Sequence, residues 1–333
     1  MNSSTVKKER DLDRSSATSP NLLRARRLLK SQPFIILLVI IFLSLVIPFF
    51  NPVFLTFRNF QTVLQQSSVT GIAALCMVLL MISGGLDFSI GSIISLTCVI
   101  VAKLVEREMG AAHAVLIALG VATACGALNG LIIAKSKCPP IIITLGMLYV
   151  YYGIALNIAQ GRFLNLFGKF EVLGSSTVLF IPFPIVVWIA MVVMMIVLLR
   201  YTKFGRRLYA MGSNEEAAFL AGITVDLNKI IAYTLNGLIA GIAALVLISR
   251  LGSVIANVGA DYALRALSAA VIGGVSFEGG RGTVIGSVLG VVLLGVVYNA
   301  MNILGITAYF QNIVLGIIVV TAVVFSNLGK LRR

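Results

Sequence analysis

Long apolar runs separated by short polar stretches fill the chain from residue 34 onward. A helix needs about 20 apolar residues to cross a bilayer. Nine runs approach or exceed that length: 34–50, 61–82, 89–105, 112–134, 139–159, 178–199, 230–250, 283–304 and 308–326. A tenth run, 263–275, is too short for a straight crossing, so we expect a broken half-helix there. The pattern predicts an all-α, polytopic membrane helix bundle of about ten transmembrane segments.

The composition favours a membrane protein over a water-soluble one. Hydrophobic residues make up 59% of the 333 residues and charged residues only 11%, whereas soluble domains carry about 25% charged residues. The net charge of +14 does not indicate nucleic-acid binding, because the basic residues lie at the ends of apolar runs. We therefore expect the outer surface of the protein to contact the lipid bilayer, and we expect no nucleic acid among its partners.

The distribution of Lys and Arg predicts the orientation, because cytoplasmic loops are enriched in both. With the N-terminus in the cytoplasm, 19 of the 26 basic residues fall on that side and 7 on the other. Eight of the 19 lie in residues 1–30, which we expect to be a disordered, basic cytoplasmic tail rather than a cleavable signal peptide. Residues 31–333 then form a single transmembrane domain, with both termini in the cytoplasm.

Residues that build catalytic or metal sites are scarce. His113 is the one histidine, and the four cysteines show neither CxxC spacing nor a disulfide framework. The GxxxxGK[ST] phosphate-binding loop is absent, so we do not expect this chain to bind ATP in that way. We expect a non-catalytic protein without a metal or cofactor of its own, whose energy source lies outside the chain.

Two Gly-rich stretches resemble each other. Residues 84–92 and 273–287 both read GG-x-x-F and then IGS before an apolar run. Transporters are often built from two related halves, and two similar helix breaks of independent origin are the other explanation. Both stretches lie on the predicted cytoplasmic side, which makes a repeat parallel, whereas a re-entrant copy would make it inverted. Candidate residues in these loops are Gly84, Gly85, Asp87, Gly273, Gly274, Gly279 and Gly280.

The long cytoplasmic loop 200–229 contains the pattern of a short helix. Ser213 and Glu216 form a capping box, in which each side chain satisfies an early backbone N–H group. Gly222 is a typical C-terminal stop. A helix of about two turns is unstable alone in water, so the bundle or a partner must hold it. It is either a capped connector or a docking helix for a cytoplasmic partner.

Several motifs occur in order from about residue 34 to the end of the chain. They are Gly84-Gly-Leu-Asp-Phe-Ser-Ile-Gly91, Asn129-Gly-Leu-Ile-Ile-Ala134, Thr144-Leu-Gly146, Phe204-Gly205, Gly212-Ser-Asn-Glu-Glu-Ala-Ala218, Ala221-Gly222, GGVSFEGGRGT at 273–283, Asn302-Ile-Leu-Gly305 and Tyr309-Phe-Gln311. With these motifs the chain resembles the permease subunits of bacterial ABC importers for ribose, galactose, arabinose and xylose.

The resemblance implies a multi-pass permease in the bacterial inner membrane that forms the translocation path for a monosaccharide or similar small polar solute. It also implies cytoplasmic ATPase subunits that bind the ATP, a periplasmic or extracellular sugar-binding protein, and a second permease copy or a relative in a dimeric core. The family's ATPase-contacting region matches the short helix at 214–221. The coupling candidates are Gly205, Gly212, Ser213, Asn214, Glu215, Glu216, Ala217 and Gly222.

Neutral hydrogen-bonding groups suit a path for sugar hydroxyls, and five asparagines lie in or near the predicted spans. The path candidates are Asn129, Asn157, Asn236, Asn299 and Asn302. Each has an alternative role as a hydrogen-bonding link between helices.

The chain departs from the family pattern at Ala263 and Arg265, where the family usually has Glu and Asp. The change replaces two acids by a neutral residue and a cation. We expect Arg265 to alter contact with the binding protein or the mouth of the path, and a neutral change in an exposed loop is the alternative.

Two other classes of function fit parts of the sequence. A stand-alone secondary carrier or facilitator would move its solute without an ATPase, and loop 200–229 would be a mere connector. An intramembrane enzyme acting on lipid is disfavoured, because the sequence lacks a catalytic constellation.

Overall fold

The computed structural model describes residues 32–166, 168, 174, 176–178 and 180–331. The predicted tail at 1–30 lies outside these residues. The described chain forms twelve α-helices: α1 (Gln32–Val46), α2 (Phe57–Ile82), α3 (Ile90–Glu106), α4 (Ala111–Ser136), α5 (Pro140–Ala159), α6 (Phe183–Tyr201), α7 (Lys203–Ser213), α8 (Glu215–Leu220), α9 (Val225–Leu251), α10 (Tyr262–Ile272), α11 (Val284–Ile303) and α12 (Ala308–Leu331).

Short elements connect some of these helices. Two 3₁₀ turns, Ile47–Phe49 and Pro52–Leu55, lie between α1 and α2. Within the described ranges, four two-residue strands form two antiparallel ladders, in which β1 pairs with β4 and β2 with β3. Their bounds are β1 (Leu164–Asn165), β2 (Thr177–Val178), β3 (Ile181–Pro182) and β4 (Ser253–Val254). The β1–β4 ladder ties the chain after α5 to the chain after α9.

The helices confirm the predicted all-α membrane bundle. Seven of the described helices are long and apolar enough to cross a membrane: α1 with its following 3₁₀ turn, α2, α4, α5, α6, α9 and α11. Every predicted run coincides with a helix, although some ends shift. The run 178–199 corresponds to α6, which begins only at Phe183 because proline stands at the first helical positions and favours a helix start there.

Helices α2 and α3 form the centre of the bundle. Every residue from Gly71 to Ile82 of α2 is buried, as is every residue from Ile90 to Val99 of α3. The outer helices α1 and α5 instead expose large apolar side chains such as Phe42, Leu45 and Ile142. An apolar outer surface is the arrangement expected where lipid is the solvent.

Glycines let helix backbones approach closely. Gly126 of α4 faces Gly237 of α9, and a Cβ on Gly126 would collide with the Tyr233 carbonyl. On α11, a Cβ on Gly290 would likewise collide with the Ala269 carbonyl of α10. Since lipid supplies no hydrophobic force between helices, this close backbone packing holds the bundle together.

Two helices, α3 and α10, begin inside the bundle, and their starts meet. Gly259, which precedes α10, donates its N–H to Ser95 Oγ of α3 over 2.9 Å, and a Cβ on Gly91 would collide with the Gly259 carbonyl. Helix α10 has 11 residues, about 16 Å at 1.5 Å per residue, which is roughly half of a bilayer core. The short run at 263–275 is thus a half-length helix, as expected.

The two similar Gly-rich stretches lie at the same end of the bundle. The N–H of Gly280 in the second stretch donates to the carbonyl of Ile82, just before the first. Their backbones differ, because the left-handed glycine is Gly84, the first of its pair, in one stretch and Gly274, the second of its pair, in the other. The proposed internal repeat and the cytoplasmic position of the termini stay predictions.

Candidate functional site

Three Gly-rich segments meet around Gly212, at the C-terminal end of α7. A Cβ on Gly212 would collide with the Ile82 carbonyl and lie 2.6 Å from the Gly280 nitrogen. A Cβ on Gly84 would lie 3.6 Å from the Gly212 Cα. We call Gly84, Gly212, Gly279, Gly280 and the Ile82 carbonyl the glycine junction. It brings candidate residues from loops 83–89, 200–229 and 273–283 into one contact.

Tyr209 on α7 adds a polar link to the junction. Its hydroxyl donates to the Gly282 carbonyl over 2.9 Å, and burial raises the pKa of this hydroxyl, which keeps it a neutral donor. Gly279 and Gly280 have φ angles of +89° and +65°, in the left-handed region that glycine adopts without strain. The second loop can therefore turn sharply against α7.

The loop 200–229 holds two helices rather than the one expected. Thr202 caps α7, since its Oγ1 accepts from the Gly205 N–H over 3.0 Å. A Cβ on Gly205 would collide with the carbonyls of Leu198 and Leu199, so this glycine lets α7 start directly below α6. The apolar residues Leu208 and Met211 of α7 are buried.

The predicted capping box at Ser213 and Glu216 is wrong by one residue. Ser213 ends α7 and donates its hydroxyl to the Tyr209 carbonyl over 2.8 Å. Asn214 caps α8 instead, because its extended backbone lets Oδ1 accept from the Ala217 N–H over 2.9 Å. Ser and Asn are both favoured at this position, and the backbone conformation decides between them.

The predicted stop at Gly222 is confirmed. Gly222 has a φ angle of +82° and donates its N–H to the Phe219 carbonyl over 2.9 Å, while Ile223 donates to the Ala218 carbonyl over 3.1 Å. These two bonds form a Schellman motif. Ala218 is buried in a small cluster with Met211 and Val225, so α8 is held against its neighbours on one side.

The other side of α8 is open. Phe219 is 67% exposed and Leu220 is 79% exposed. Glu215 forms an ion pair with Lys229 over 2.7 Å. Glu216 has no ion pair among the described residues. A groove of about 690 Å³ runs beside α8, between its Glu216 and Phe219 and the start of α9 at Leu227.

The edge of this groove is charged. Lys137 donates to Asp226 over 2.8 Å, and this hydrogen bond raises the pKa of the Lys137 ammonium group. The pair lies beside exposed apolar side chains of α8 and α9. The surface thus combines an apolar centre with a charged rim, which is the usual composition of a protein–protein contact.

Asp87 lies behind the glycine junction and is fully buried. Its Oδ1 accepts from the backbone N–H of Ser89 over 2.7 Å and from the Ser89 hydroxyl over 2.6 Å. Its Oδ2 accepts from Asn236 Nδ2 over 2.8 Å. A buried carboxylate needs such donors, and here they fix the loop to α9.

Two of the asparagine candidates belong to this buried network. Asn129 donates to the Ser89 hydroxyl over 2.8 Å and accepts from the Tyr151 hydroxyl over 2.9 Å. Asn129 and Asn236 are both 0% exposed. They link α4, α5 and α9 to the Asp87 loop, and their role in a path stays a prediction.

The other three asparagine candidates are scattered. Asn157 is exposed on α5. Asn299 exchanges two hydrogen bonds with Asn59, over 2.9 and 2.8 Å. Asn302 accepts from Gln311 over 2.8 Å and lines a small polar cavity between α2 and α11. The structure therefore does not bring the five asparagines together.

The two departures from the family pattern occupy different environments. Ala263 is buried. Arg265, one turn into α10, packs its guanidinium 5.0 Å from the centre of the Tyr298 ring and lines the same cavity as Asn302. Arg265 is therefore not a residue of an exposed loop.

Sequence reasoning found the four glycines of the junction but missed helix α7 and its residue Tyr209. Helix α7 carries a signal that could have revealed it, because Phe204, Leu208 and Met211 recur at helical spacing. Tyr209 and Asn59 bond to partners far along the chain, which one sequence does not reveal. No group of three His, Cys, Asp or Glu side chains within the described ranges could hold a metal.

The chain matches the model of one transport family over most of its length. Residues 59–323 match the family described as branched-chain amino acid transport system / permease component. This match includes the glycine junction, α7, α8 and the Asp87 network. No solved structure matches the chain.

Curated relatives span nearly the whole chain. The ribose import permease protein RbsC of Escherichia coli K12 is 36% identical over 310 residues, which cover 90% of this chain and 94% of the relative. The RbsC protein of Bacillus subtilis 168 is 35% identical, with 90% and 92% covered. The galactose/methyl galactoside import permease protein MglC of E. coli K12 is 34% identical, with 90% and 95% covered.

These matches confirm the resemblance that the sequence motifs predicted. Together with the apolar helices, they make the protein a multi-pass inner membrane protein of a transport system. The chain belongs to the permease family of bacterial ABC importers that includes the ribose and galactose permeases.

Proposed function

We propose that this chain forms the translocation path of an ATP-driven importer for a monosaccharide or similar small polar solute, and that separate cytoplasmic ATPase subunits bind and hydrolyse the ATP. One observation carries the proposal: α8 presents Phe219 and Leu220 to solvent at the end of the bundle that holds the glycine junction. Relatives whose printed names are ribose and galactose import permeases support the substrate class.

The exposed face of α8 suits an ATPase contact. A six-residue helix is too short to be stable alone, and here the Schellman motif and the buried Ala218 fix it to α7 and α9. Fixing one side of the helix leaves Phe219, Leu220 and Glu216 available to a partner. Two apolar side chains beside an acidic one would fit a groove on the partner that is apolar inside and basic at its edge.

The glycine junction offers a mechanical route from α8 into the bundle. Helix α8 follows α7 with only Asn214 between them. Gly212, near the end of α7, packs on the Ile82 carbonyl at the end of the buried helix α2 and on Gly280 before α11. Movement of α8 on an ATPase would therefore be passed to α2 and α11 through backbone contacts. Such close-packed contacts are hardly compressible, so they transmit a displacement instead of absorbing it.

Three further parts complete the proposed importer. A periplasmic or extracellular sugar-binding protein delivers the solute to the end of the bundle opposite the glycine junction. A second permease copy or a relative completes a dimeric core. The chain itself holds no cofactor, since ATP is bound by the partner.

The test is capture of an ATPase by the membrane-extracted permease. We expect the parent chain to retain an ATPase subunit of a sugar importer, chosen from a panel, and the double variant Phe219→Ser, Leu220→Ser to lose it. Glu216→Arg should weaken capture of the ATPase. Glu215→Arg should weaken it too, but this variant also breaks the ion pair to Lys229, so its effect does not report on the ATPase contact alone.

The matched control is Phe163→Ser. Phe163 is 74% exposed and lies just before β1, away from the glycine junction. Its variant should capture the ATPase as well as the parent does. If the α8 double variant captures the ATPase as well as the parent does, α8 is not the contact. If no ATPase of the panel is captured and the lone chain equilibrates the solute, the protein is a facilitator.

A further inference from the structure

The cavity that holds Arg265 carries polar groups without partners in the part of the chain that the structure describes. It has a volume of about 130 Å³ and lies between α2, α10, α11 and α12, well above the ~10–15 Å³ that one water requires. Its polar lining residues are Gln66, Ser67, Thr70, Arg265, Tyr298, Asn302 and Gln311. The described lining includes one cation and no acid.

Three buried atoms in this lining have no hydrogen-bond partner among the described residues: Ser67 Oγ, Arg265 Nε and Tyr298 Oη. Ser67 is only 3% exposed. Buried polar atoms without hydrogen-bond partners are rare in folded proteins. Three of them around one cavity are available to water or to a bound solute.

The geometry of Arg265 leaves its donors available. Its guanidinium lies over the Tyr298 ring at 5.0 Å and near the Tyr262 ring at 5.9 Å from the ring centres, so aromatic rings hold it in place. Among the described residues, its one ion pair is to Asp261, at 3.5 Å, which is long for a charge-assisted hydrogen bond. Asp261 is 67% exposed, so water screens this carboxylate more than it screens a group inside the cavity.

Arg265 therefore lies in a mostly polar cavity as a weakly neutralised cation. A guanidinium presents paired N–H donors that match a carboxylate. The surrounding hydroxyl and amide groups match the hydroxyls of a sugar. Gly295 keeps the cavity open, because a Cβ there would collide with Ser67 Oγ.

We propose that the Arg265 cavity is a subsite for the carboxylate of a small polyhydroxylated acid, so that the solute of this permease is a sugar acid. Arg265 binds the carboxylate, and Ser67 and Tyr298 donate to or accept from neighbouring hydroxyls. The proposal rests on the proposed transport function and narrows its substrate class from a monosaccharide to an anionic one.

The test is direct binding to the full chain in nanodiscs of neutral lipid. D-Galacturonate and D-galactose are the probes, because they differ only in carrying a carboxylate or a hydroxymethyl group at C6. We expect galacturonate to bind at least about tenfold more tightly. Arg265→Gln should remove this preference, Arg265→Lys should keep part of it, and Gly295→Ala should weaken binding of both probes.

Arg107→Gln is the matched control, because Arg107 is an exposed cation at the end of α3 and does not line the cavity. It should leave the preference unchanged. Thermal unfolding of each variant establishes that it is folded. Equal binding of the two probes, no saturable binding of galacturonate, equal displacement by acetate, or an unchanged preference in folded Arg265→Gln would overturn the proposal. No ATPase takes part in this assay, so its failure is separate from a failure of the ATPase-capture test.

Discussion

The N–H of Gly280 donates to the carbonyl of Ile82 over 3.0 Å, across 198 positions of sequence. This bond joins the end of the buried helix α2 to the loop before α11, and Gly212 of α7 packs directly against it. The residues after α2 donate to the carbonyls of Leu80 and Met81, and the Gly280 N–H supplies the partner for the remaining carbonyl of Ile82. The same contact satisfies the helix end and fixes the segment that carries α8.

Gly212→Ala is expected to disrupt the glycine junction. The added methyl group would meet the Ile82 carbonyl and the Gly280 nitrogen, both of which are backbone atoms that cannot turn away. Overpacking of this kind costs about 1–3 kcal/mol. Thermal unfolding of the extracted protein should show a lower midpoint, and ATP-dependent uptake should fall.

Gly146→Ala is the control for this prediction. Gly146 lies in α5, and a Cβ there meets no atom within 4 Å. Because alanine favours a helix more than glycine does, this variant should be neutral or slightly stabilised. Equal unfolding midpoints for the two variants would show that the junction is not tightly packed.

Asn236→Leu is expected to lower the free energy of unfolding by about 3 kcal/mol or more, because it leaves the charged Asp87 Oδ2 buried without its donor. Asn157→Leu changes the same residue type at an exposed position and should have little effect on unfolding. The comparison separates a structural asparagine from a surface one. If both variants unfold like the parent, the Asp87 network does not hold the loop.

The Asn59–Asn299 pair predicts a measurable coupling. Each amide donates to the other, and an interhelical hydrogen bond within a membrane contributes about 0.6 kcal/mol. A double-mutant cycle with Asn59→Leu and Asn299→Leu should therefore give a coupling free energy of about 1 kcal/mol in unfolding. A coupling near zero would assign Asn299 to another role, including the path.

The Glu215–Lys229 ion pair should contribute little to stability. The Glu215 side chain is 52% exposed and that of Lys229 is 19% exposed, and exposed pairs are worth about 0–1 kcal/mol and weaken with salt. Lys229→Gln should lower the unfolding midpoint slightly at low salt and not at high salt. A large, salt-independent loss would mean that the pair is a main support of α8.

The membrane bundle could be predicted from the sequence because run length and apolar composition directly reflect the bilayer. The ten predicted runs lie on helices for this reason. The sequence does not fix the end of a helix where two capping signals compete. Ser213 and Asn214 are both good caps, and only the extended backbone of Asn214 selects it.

The contacts between distant segments could not be predicted. The sequence places Asp87 in a loop, and nothing local shows that Asn236, 149 positions later, supplies its donor. The cavity around Arg265 likewise depends on Ser67 and Tyr298 from other helices. Family motifs identified the Gly-rich loops as important, but their meeting at Gly212 is a property of the packed bundle.

ATP-dependent uptake into proteoliposomes tests the central claim most directly. The vesicles would contain this chain with a candidate ATPase and binding protein, and parallel vesicles would contain the chain alone. The account predicts accumulation of the solute above its outside concentration only in the complete system with ATP, and loss of accumulation in the variant Phe219→Ser, Leu220→Ser. Equilibration of the solute at the same rate by the lone chain without ATP would contradict it.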